Sequence, residues 1–433
     1  MSARLLVVVA LSALAAAGCG HGRVPSQAIR IGVLTDCAGP FAAYGDLALA
    51  GAELALIQHG GQRAGSATAD GVVGVTIAGR PLKLVFGCND ENTGVGVLTE
   101  ARRLVEGEGV DVLIGPLAGN EEVVVQSYAR RQPRVAFVDG SGSVQLTQPA
   151  PNFFSFHTDG AQWTAGLGAY AYKTLGWRSA VTIANEPDAF NWAQVAGFTA
   201  EFCALGGDVV RRVWIRPGIS DLSGVIAEIP RAGVDGFFVE SSDALIALAR
   251  SYRGLQGNIG RKVIGGALAF TAKNYVLGLD RIRGLTFGTA VPGSGVRGLE
   301  EPTRRYSAAI RHAFPELGAT VATPFDLFYY GATVATLHAL DAVHGDLSRG
   351  ERKFMTALAR TRIDLPNGPV RLDRLHRAIA PNYLVRVNGQ SSSPLQTIPA
   401  VEPSFGGHFG PSDPPPGETT PRCLQGSPPR WAR

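Results

Sequence analysis

Ile29-Arg30-Ile31-Gly32-Val33-Leu34 reads as a short buried strand, and the stretch 47–58 behind it as a helix. Leu82-Lys83-Leu84-Val85-Phe86 is the next strand, with 97–106 helical after it. Val110-Asp111-Val112-Leu113-Ile114 and Val135-Ala136-Phe137-Val138 continue the series, separated by a helix over 121–130. Short apolar strands alternating with longer helices imply a parallel sheet covered on both faces. The alternation then starts again. Ala180-Val181-Thr182-Ile183, the stretch 209–214, Gly236-Phe237-Phe238-Val239 and Lys262-Val263-Ile264 are strand candidates, with helices near 193–205, 222–229 and 244–252. No short sequence repeat is visible, but the secondary pattern is duplicated, which predicts two α/β lobes.

Size and composition fit that reading. The chain has 433 residues, 45% hydrophobic and 18% charged, enough apolar surface for sizeable cores and too much for a disordered chain. At about 100–200 residues per domain, two domains are expected. The net charge of +4 is spread without a block of like sign, which argues against a nucleic-acid partner. No Lys follows a Gly, so a Walker-type phosphate loop is absent. There is no His-Glu-x-x-His, no Cys-x-x-Cys and no Gly-x-Ser-x-Gly elbow. The 8 histidines are scattered without ligand spacing, so neither a metal nor a cofactor is expected, and the chain reads as a non-enzyme.

Arg4, the apolar run 5–17 and the small residues at its end describe a secretory signal peptide, too short to span a bilayer as a stable helix. Ala16-Ala17-Gly18-Cys19 resembles a bacterial lipoprotein cleavage box, which would leave Cys19 as the lipid-modified first residue. Ordinary cleavage after Ala17 is the alternative. Of the 5 cysteines, lipidating Cys19 leaves Cys37, Cys88, Cys203 and Cys423, an even set that an exported protein can pair. Cys37 and Cys88 each follow one of the first two strands. In a flavodoxin-like strand order these are neighbours, so a Cys37–Cys88 bridge is expected, against two buried thiols. From about Ser391 the composition changes, with 10 of the 27 prolines in the last 40 residues. That reads as an extended, irregular tail lying on the body or hanging free, which a Cys203–Cys423 bridge would pin down.

Several segments together resemble the type I periplasmic binding proteins, in the branched-chain amino acid (Leu/Ile/Val) binding group of ABC importers. They are the opening strand with Thr35, Ala38-Gly39-Pro40-Phe41-Ala42-Ala43-Tyr44-Gly45, and Gly51-Ala52-Glu53-Leu54-Ala55. Val112-Leu113-Ile114-Gly115-Pro116-Leu117, Phe137-Val138-Asp139-Gly140-Ser141-Gly142-Ser143 and Tyr329-Tyr330-Gly331-Ala332 follow in order. The resemblance implies two doubly wound parallel-sheet lobes joined by three crossovers that close on a ligand. It divides the chain into a signal peptide (1–18), a linker (19–27), a first lobe (28–155 and 285–345), a second lobe (156–284 and 346–390) and the tail (391–433).

By the same resemblance, Tyr44 sits in a loop at a ligand-contact position, otherwise a packing residue. Leu117-Ala118-Gly119-Asn120 joins a strand to a helix, with Asn120 as its N-cap and free backbone N–H groups for a carboxylate. The family carries a Ser hydroxyl where Gly119 stands. Ser141 or Ser143 could bond a ligand oxygen, although Gly–Ser loops also serve turns. Phe190 falls at an aromatic lid position, with Trp192 as substitute. Glu240, followed by Ser241-Ser242, could pair with a ligand cation or cap the next helix. Ala267 falls near the family's acidic residue for a ligand ammonium. A buried ammonium needs a counter-charge, so either Glu240 or Asp90 supplies it or the ligand carries none.

The leading reading is an exported, lipid-anchored, monomeric substrate-binding protein of an ABC importer, touching the membrane only through its lipid and partnered by the permease subunits. Its solute would be amino-acid-like or an organic acid or amide. A ligand sensor acting through a signalling partner is the second reading. A hydrolase using Ser141, Asp139 and a distant His is the third.

Overall fold

The computed structural model describes residues 28–433 except 90–93, 143, 217, 220, 231–232, 252–254, 256–258, 267–281, 293–297, 319–321, 349–350 and 389–390. Cys19, Asp90, Ser143 and Ala267 therefore lie outside the described residues.

The opening run forms β1 (Ile29–Asp36), buried along nearly its whole length. It needs apolar residues on both faces because it is central. β2 (Arg80–Asn89) pairs with it on one side and β3 (Val112–Ile114) on the other, both parallel. β4 (Ala136–Val138) and β5 (Phe153–Phe154) complete the order β2-β1-β3-β4-β5, with a two-residue strand antiparallel to β2 at the far edge. α1 (Ala42–Gln58) follows β1, α2 (Gly94–Arg102) follows β2, and α3 (Gly119–Ala129) follows β3. One face of the sheet is covered by α1, the other by α2 and α3.

The chain then crosses over 155–159 into α4 (Gly160–Trp163), whose N-cap Asp159 accepts from Gln162 N at 2.9 Å. β6 (Ser179–Asn185), α5 (Ala189–Ala204), β7 (Asp208–Ile215), β8 (Gly236–Glu240), α6 (Ser242–Ser251), β9 (Val263–Gly265) and β10 (Thr286–Thr289) build the second lobe. Its order, β7-β6-β8-β9-β10, repeats that of the first sheet. The duplication read from the sequence is thus a duplication of topology.

After β10 the chain returns to the first lobe. α7 (Glu300–Ala313) and α8 (Pro324–Ala342) pack on α1, and Gly51 gives α8 room to approach. α8 starts at Thr323 and Asp326, a reciprocal cap with proline in the first turn. The second lobe was expected to resume at 346. Instead, α9 (Arg352–Arg360) buries Phe354 and Leu358 in the first-lobe core, because its apolar side faces α8. β11 (Arg362–Leu365) and β12 (Gly368–Leu372) likewise give Leu365 and Val370 to that core. A turn over 373–377 joins β12 to β13 (Ala378–Asn388) as an antiparallel hairpin, and β13 itself makes the third crossing. Ala378 and Ala380 lie in the first-lobe core, whereas Tyr383 and Val385 lie in the second, where the strand runs antiparallel to β10.

The Pro-rich segment is not irregular throughout. β14 (Ser391–Val401) pairs along β13 as an edge strand, where Pro394 and Pro399 are tolerated for want of a second partner. Beyond it, Phe405 and Phe409 are buried in the second-lobe core. The two expected disulfides are present: Cys37–Cys88, with Cα atoms 5.6 Å apart on the neighbouring ends of β1 and β2, and Cys203–Cys423, at 5.3 Å. No helix among the described residues is long and apolar enough to cross a membrane.

Candidate functional site

The carboxyl ends of the strands in the two sheets face each other, the place where open α/β sheets take ligands. From the first lobe come the turn after β3 and the loop after β4. From the second come the loop from β6 into α5 and the end of β8.

The turn after β3 runs through Gly115, at φ +127°, and Pro116 to Leu117 and Ala118, both buried. Ala118, not Asn120, is the N-cap of α3. Asn120 is thereby released to reach across the cleft. Its Nδ2 donates to Pro187 O at 3.1 Å, and its Oδ1 accepts from Ala189 N at 2.9 Å. Ala189 opens α5, so its N–H has no partner inside the helix, and Asn120 supplies one. Gly119 is glycine for want of space: a Cβ would lie 2.9 Å from Val144 Cγ1, 3.0 Å from Gly142 O and 3.3 Å from Phe190 Cβ. A serine at this point does not fit the closed arrangement.

Ser141 is buried and donates to Leu117 O at 2.8 Å, which ties the two first-lobe loops together. Phe190 is 9% exposed and meets Trp163 edge-on, with centroids 5.3 Å apart. It walls the cleft opposite Gly119. Tyr44 is not in a loop. The turn Gly39–Phe41 starts α1 early, and Tyr44, in its first turn, stacks on Phe325 at 4.2 Å. Glu240 is fully buried. Its Oε2 and Gln194 Oε1 lie 1.7 and 1.8 Å from where a Cβ on Gly266 would be, so both side chains converge over that glycine. The helix after β8 is capped not by Glu240 but by Ser241, whose Oγ accepts from Ala244 N at 3.2 Å.

Reading by motif missed a buried acidic group beneath Asn120. Asp36, at the end of β1, and Glu121, in the first turn of α3, are 1% and 5% exposed, and Asn89 Nδ2 donates to Glu121 Oε1. Burial, reinforced by the neighbouring Asp36, pushes Glu121 up to about 9, and burial raises Asp36 as well. Glu121 therefore holds a proton at neutral pH. The adjacent Glu122 accepts from Val144 N at 3.0 Å, and burial lifts it well above the usual carboxylate range. The only signal in the sequence was the pair Glu121-Glu122 at a helix start, which ordinarily marks a solvated first turn.

Asp139 accepts from Gly142 N at 3.2 Å and from Ser155 Oγ at 3.0 Å, and it pairs with His157 at 2.9 Å. The carboxylate thus organises the first crossing. A cavity of about 610 Å³ opens beside the cleft, where β6 and β7 end, between Glu186, Arg216, Leu222 and Arg250. Among the described residues no cluster of three or more His, Cys, Asp or Glu side chains could hold a metal ion.

Comparisons with known proteins accord with this geometry. A model of the family described as "Periplasmic binding protein" matches residues 28–392. No curated protein matches the sequence. Among solved structures, an ABC transporter solute-binding protein from R. palustris in complex with benzoate is 22% identical, with TM-score 0.70 over 87% of this chain and 98% of that one. An ABC transporter substrate-binding protein from Sphaerobacter thermophilus is 24% identical, with TM-score 0.72 over 86% and 98%. The leucine binding protein LivK from Thermotoga maritima is 18% identical, with TM-score 0.69 over 86% and 99%.

Proposed function

The chain belongs to the type I periplasmic binding protein family, and from that premise we propose that it is the exported, lipid-anchored substrate-binding subunit of an ABC importer. It captures a small amino-acid-like, organic-acid or amide solute between its lobes and presents the closed form to the permease. The observation that carries this reading is Asn120, a first-lobe side chain bonded to Pro187 O and Ala189 N of the second lobe. No chemistry is asked of the cleft. Capture needs complementary walls and a hinge, and both follow from the residues described.

A protein in complex with benzoate and a leucine binding protein both share this fold. The residues of the cleft tell them apart by charge. A leucine-like zwitterion needs a carboxylate for its ammonium group, and Glu240 is the buried candidate on the second lobe. A benzoate-like anion needs donors, which the start of α3 supplies as backbone N–H groups.

The test is a thermal-shift screen of the purified chain against leucine, benzoate, aliphatic acids and amides. A solute at 100 times its Kd adds about 2.7 kcal/mol of stability. A shift with leucine that Glu240→Gln abolishes assigns an amino acid; a shift with benzoate that Glu240→Gln leaves intact assigns an anion. Failure of every small solute to shift the transition would sink the capture reading. For the anchor, Cys19→Ala is expected to move the chain from the membrane to the soluble fraction, and an unchanged distribution refutes lipidation there.

A further inference from the structure

We propose that the Pro-rich C-terminal segment is a fourth connection between the lobes, a strap that biases the hinge toward the closed arrangement. The family match ends at residue 392, so the strap lies beyond the part of the chain that the fold shares.

Its root is in the second lobe. β14 is paired with β13, and Phe405 and Phe409 are buried among residues of α4 and α5. Trp431 meets Phe405 edge-on at 5.2 Å and donates Nε1–H to Glu201 Oε2 at 3.3 Å. Cys423 is bonded to Cys203 of α5.

Its reach is to the first lobe. Gln145 Nε2 donates to Pro403 O at 2.6 Å, and Thr147 Oγ1 donates to Asp413 O at 3.0 Å. Gln145 and Thr147 lie in the loop from β4 to β5, the same loop that carries Asp139 and Ser141 at the cleft, and they are 2% and 4% exposed. Pulling such donors off their carbonyls leaves buried polar groups unsatisfied, which opposes separation. The segment between the acceptors and the disulfide holds Pro411, Pro414, Pro415, Pro416 and Pro421, so it resists bending.

The strap runs beside the hinge. Arg377 Nη1, in the turn that leads into the crossing strand β13, donates to Leu146 O at 2.8 Å, between the two strap contacts. Gln162 Nε2, just after the first crossing, donates to Ala378 O at 2.9 Å and to Val401 O at 2.8 Å. Contacts this close to the crossings act by stiffening them rather than by blocking the mouth of the cleft.

The experiment is hydrogen exchange on the full chain without added solute, comparing the parent with Q145A/T147A. The Ala189 amide is the reporter, because its acceptor Asn120 belongs to the other lobe and neither residue lies on the strap. Loss of two hydrogen bonds that favour closure is expected to speed Ala189 exchange about tenfold. A faster loop 141–148 with Ala189 unchanged would overturn the proposal and leave the segment as packing on the second lobe. C203S/C423S, which frees the root, is expected to speed Ala189 in the same way while β13 amides keep their protection. If β13 amides also exchange quickly, that variant has unfolded locally and Q145A/T147A alone decides. Because no solute is present, the outcome does not depend on the transport reading.

Discussion

Gly119 and Glu121 stand two residues apart and show two ways in which a single position shapes the cleft. At Gly119 the constraint is space. Gly119→Ser would force Val144, Gly142 or Phe190 to move, so it is expected to cost about 1–3 kcal/mol in urea unfolding. An unchanged midpoint would mean that Phe190 yields freely and that the cleft tolerates a serine. At Glu121 the constraint is charge. Its folded pKa of about 9 lies above the unfolded 4.5, so the folded state alone keeps the proton between those values. Stability from this group is intact below pH 4.5 and falls as pH rises toward 9, by up to about 1.4 kcal/mol per pH unit. Glu121→Gln is expected to flatten the decline of unfolding free energy between pH 5 and 8, and an identical slope would show that Glu121 is ionised in the fold. Asn120 could be placed at a strand end from the sequence, but the N-cap expected of it falls to Ala118, and Phe190 was reached only through the resemblance. Glu121 was not legible, since burial against Asp36 and Asn89, residues distant in sequence, leaves no local mark.

Elements meet where small residues let them. α1 and α8 approach at Gly51, where a Cβ would lie 2.0 Å from Asp326 O, a backbone atom that cannot swing aside. Gly51→Ala is expected to lose about 1–3 kcal/mol by thermal or chemical unfolding. Gly224, in the short helix Ser223–Ala227, has nothing within 4 Å of its Cβ direction, and Gly224→Ala is expected to be neutral or to gain up to about 1 kcal/mol. Equal effects at the two sites would refute the close helix contact and reduce both to helix propensity. The alternation of strands and helices was legible because doubly wound sheets write near-continuous apolar strands between amphipathic helices. β14 was not, because its apolar anchors Ile398 and Val401 are separated by prolines and polar residues that read as a tail. Nor was the place of α9, because whether Phe354 and Leu358 face one lobe or the other depends on the path of the chain around them.

At the scale of the whole molecule, two sheets of the same order are joined by the chain crossings, and Asn120 bonds from one lobe to the other across the cleft. That makes Asn120 a test of closure apart from fold. Its side chain is the donor in one cross-cleft bond and the acceptor in another, at 3.1 and 2.9 Å, and α3 does not rely on it as a cap. Asn120→Ala removes both bonds while leaving each lobe its own core. Each bond is worth about 1 kcal/mol and is partly open to water, so the closed form should lose roughly tenfold in population against the open one. A solute that binds only the closed form must then work against that equilibrium. By titration calorimetry, leucine or benzoate, whichever raises the melting temperature of the parent, is expected to bind Asn120→Ala about tenfold more weakly, with the unliganded melting temperature nearly unchanged. Equal affinity would mean that this contact contributes nothing to closure. A large fall in the unliganded melting temperature would instead place Asn120 in the stability of α3 or α5, although the Asp188 side chain already caps α5 by accepting from Asn191 N.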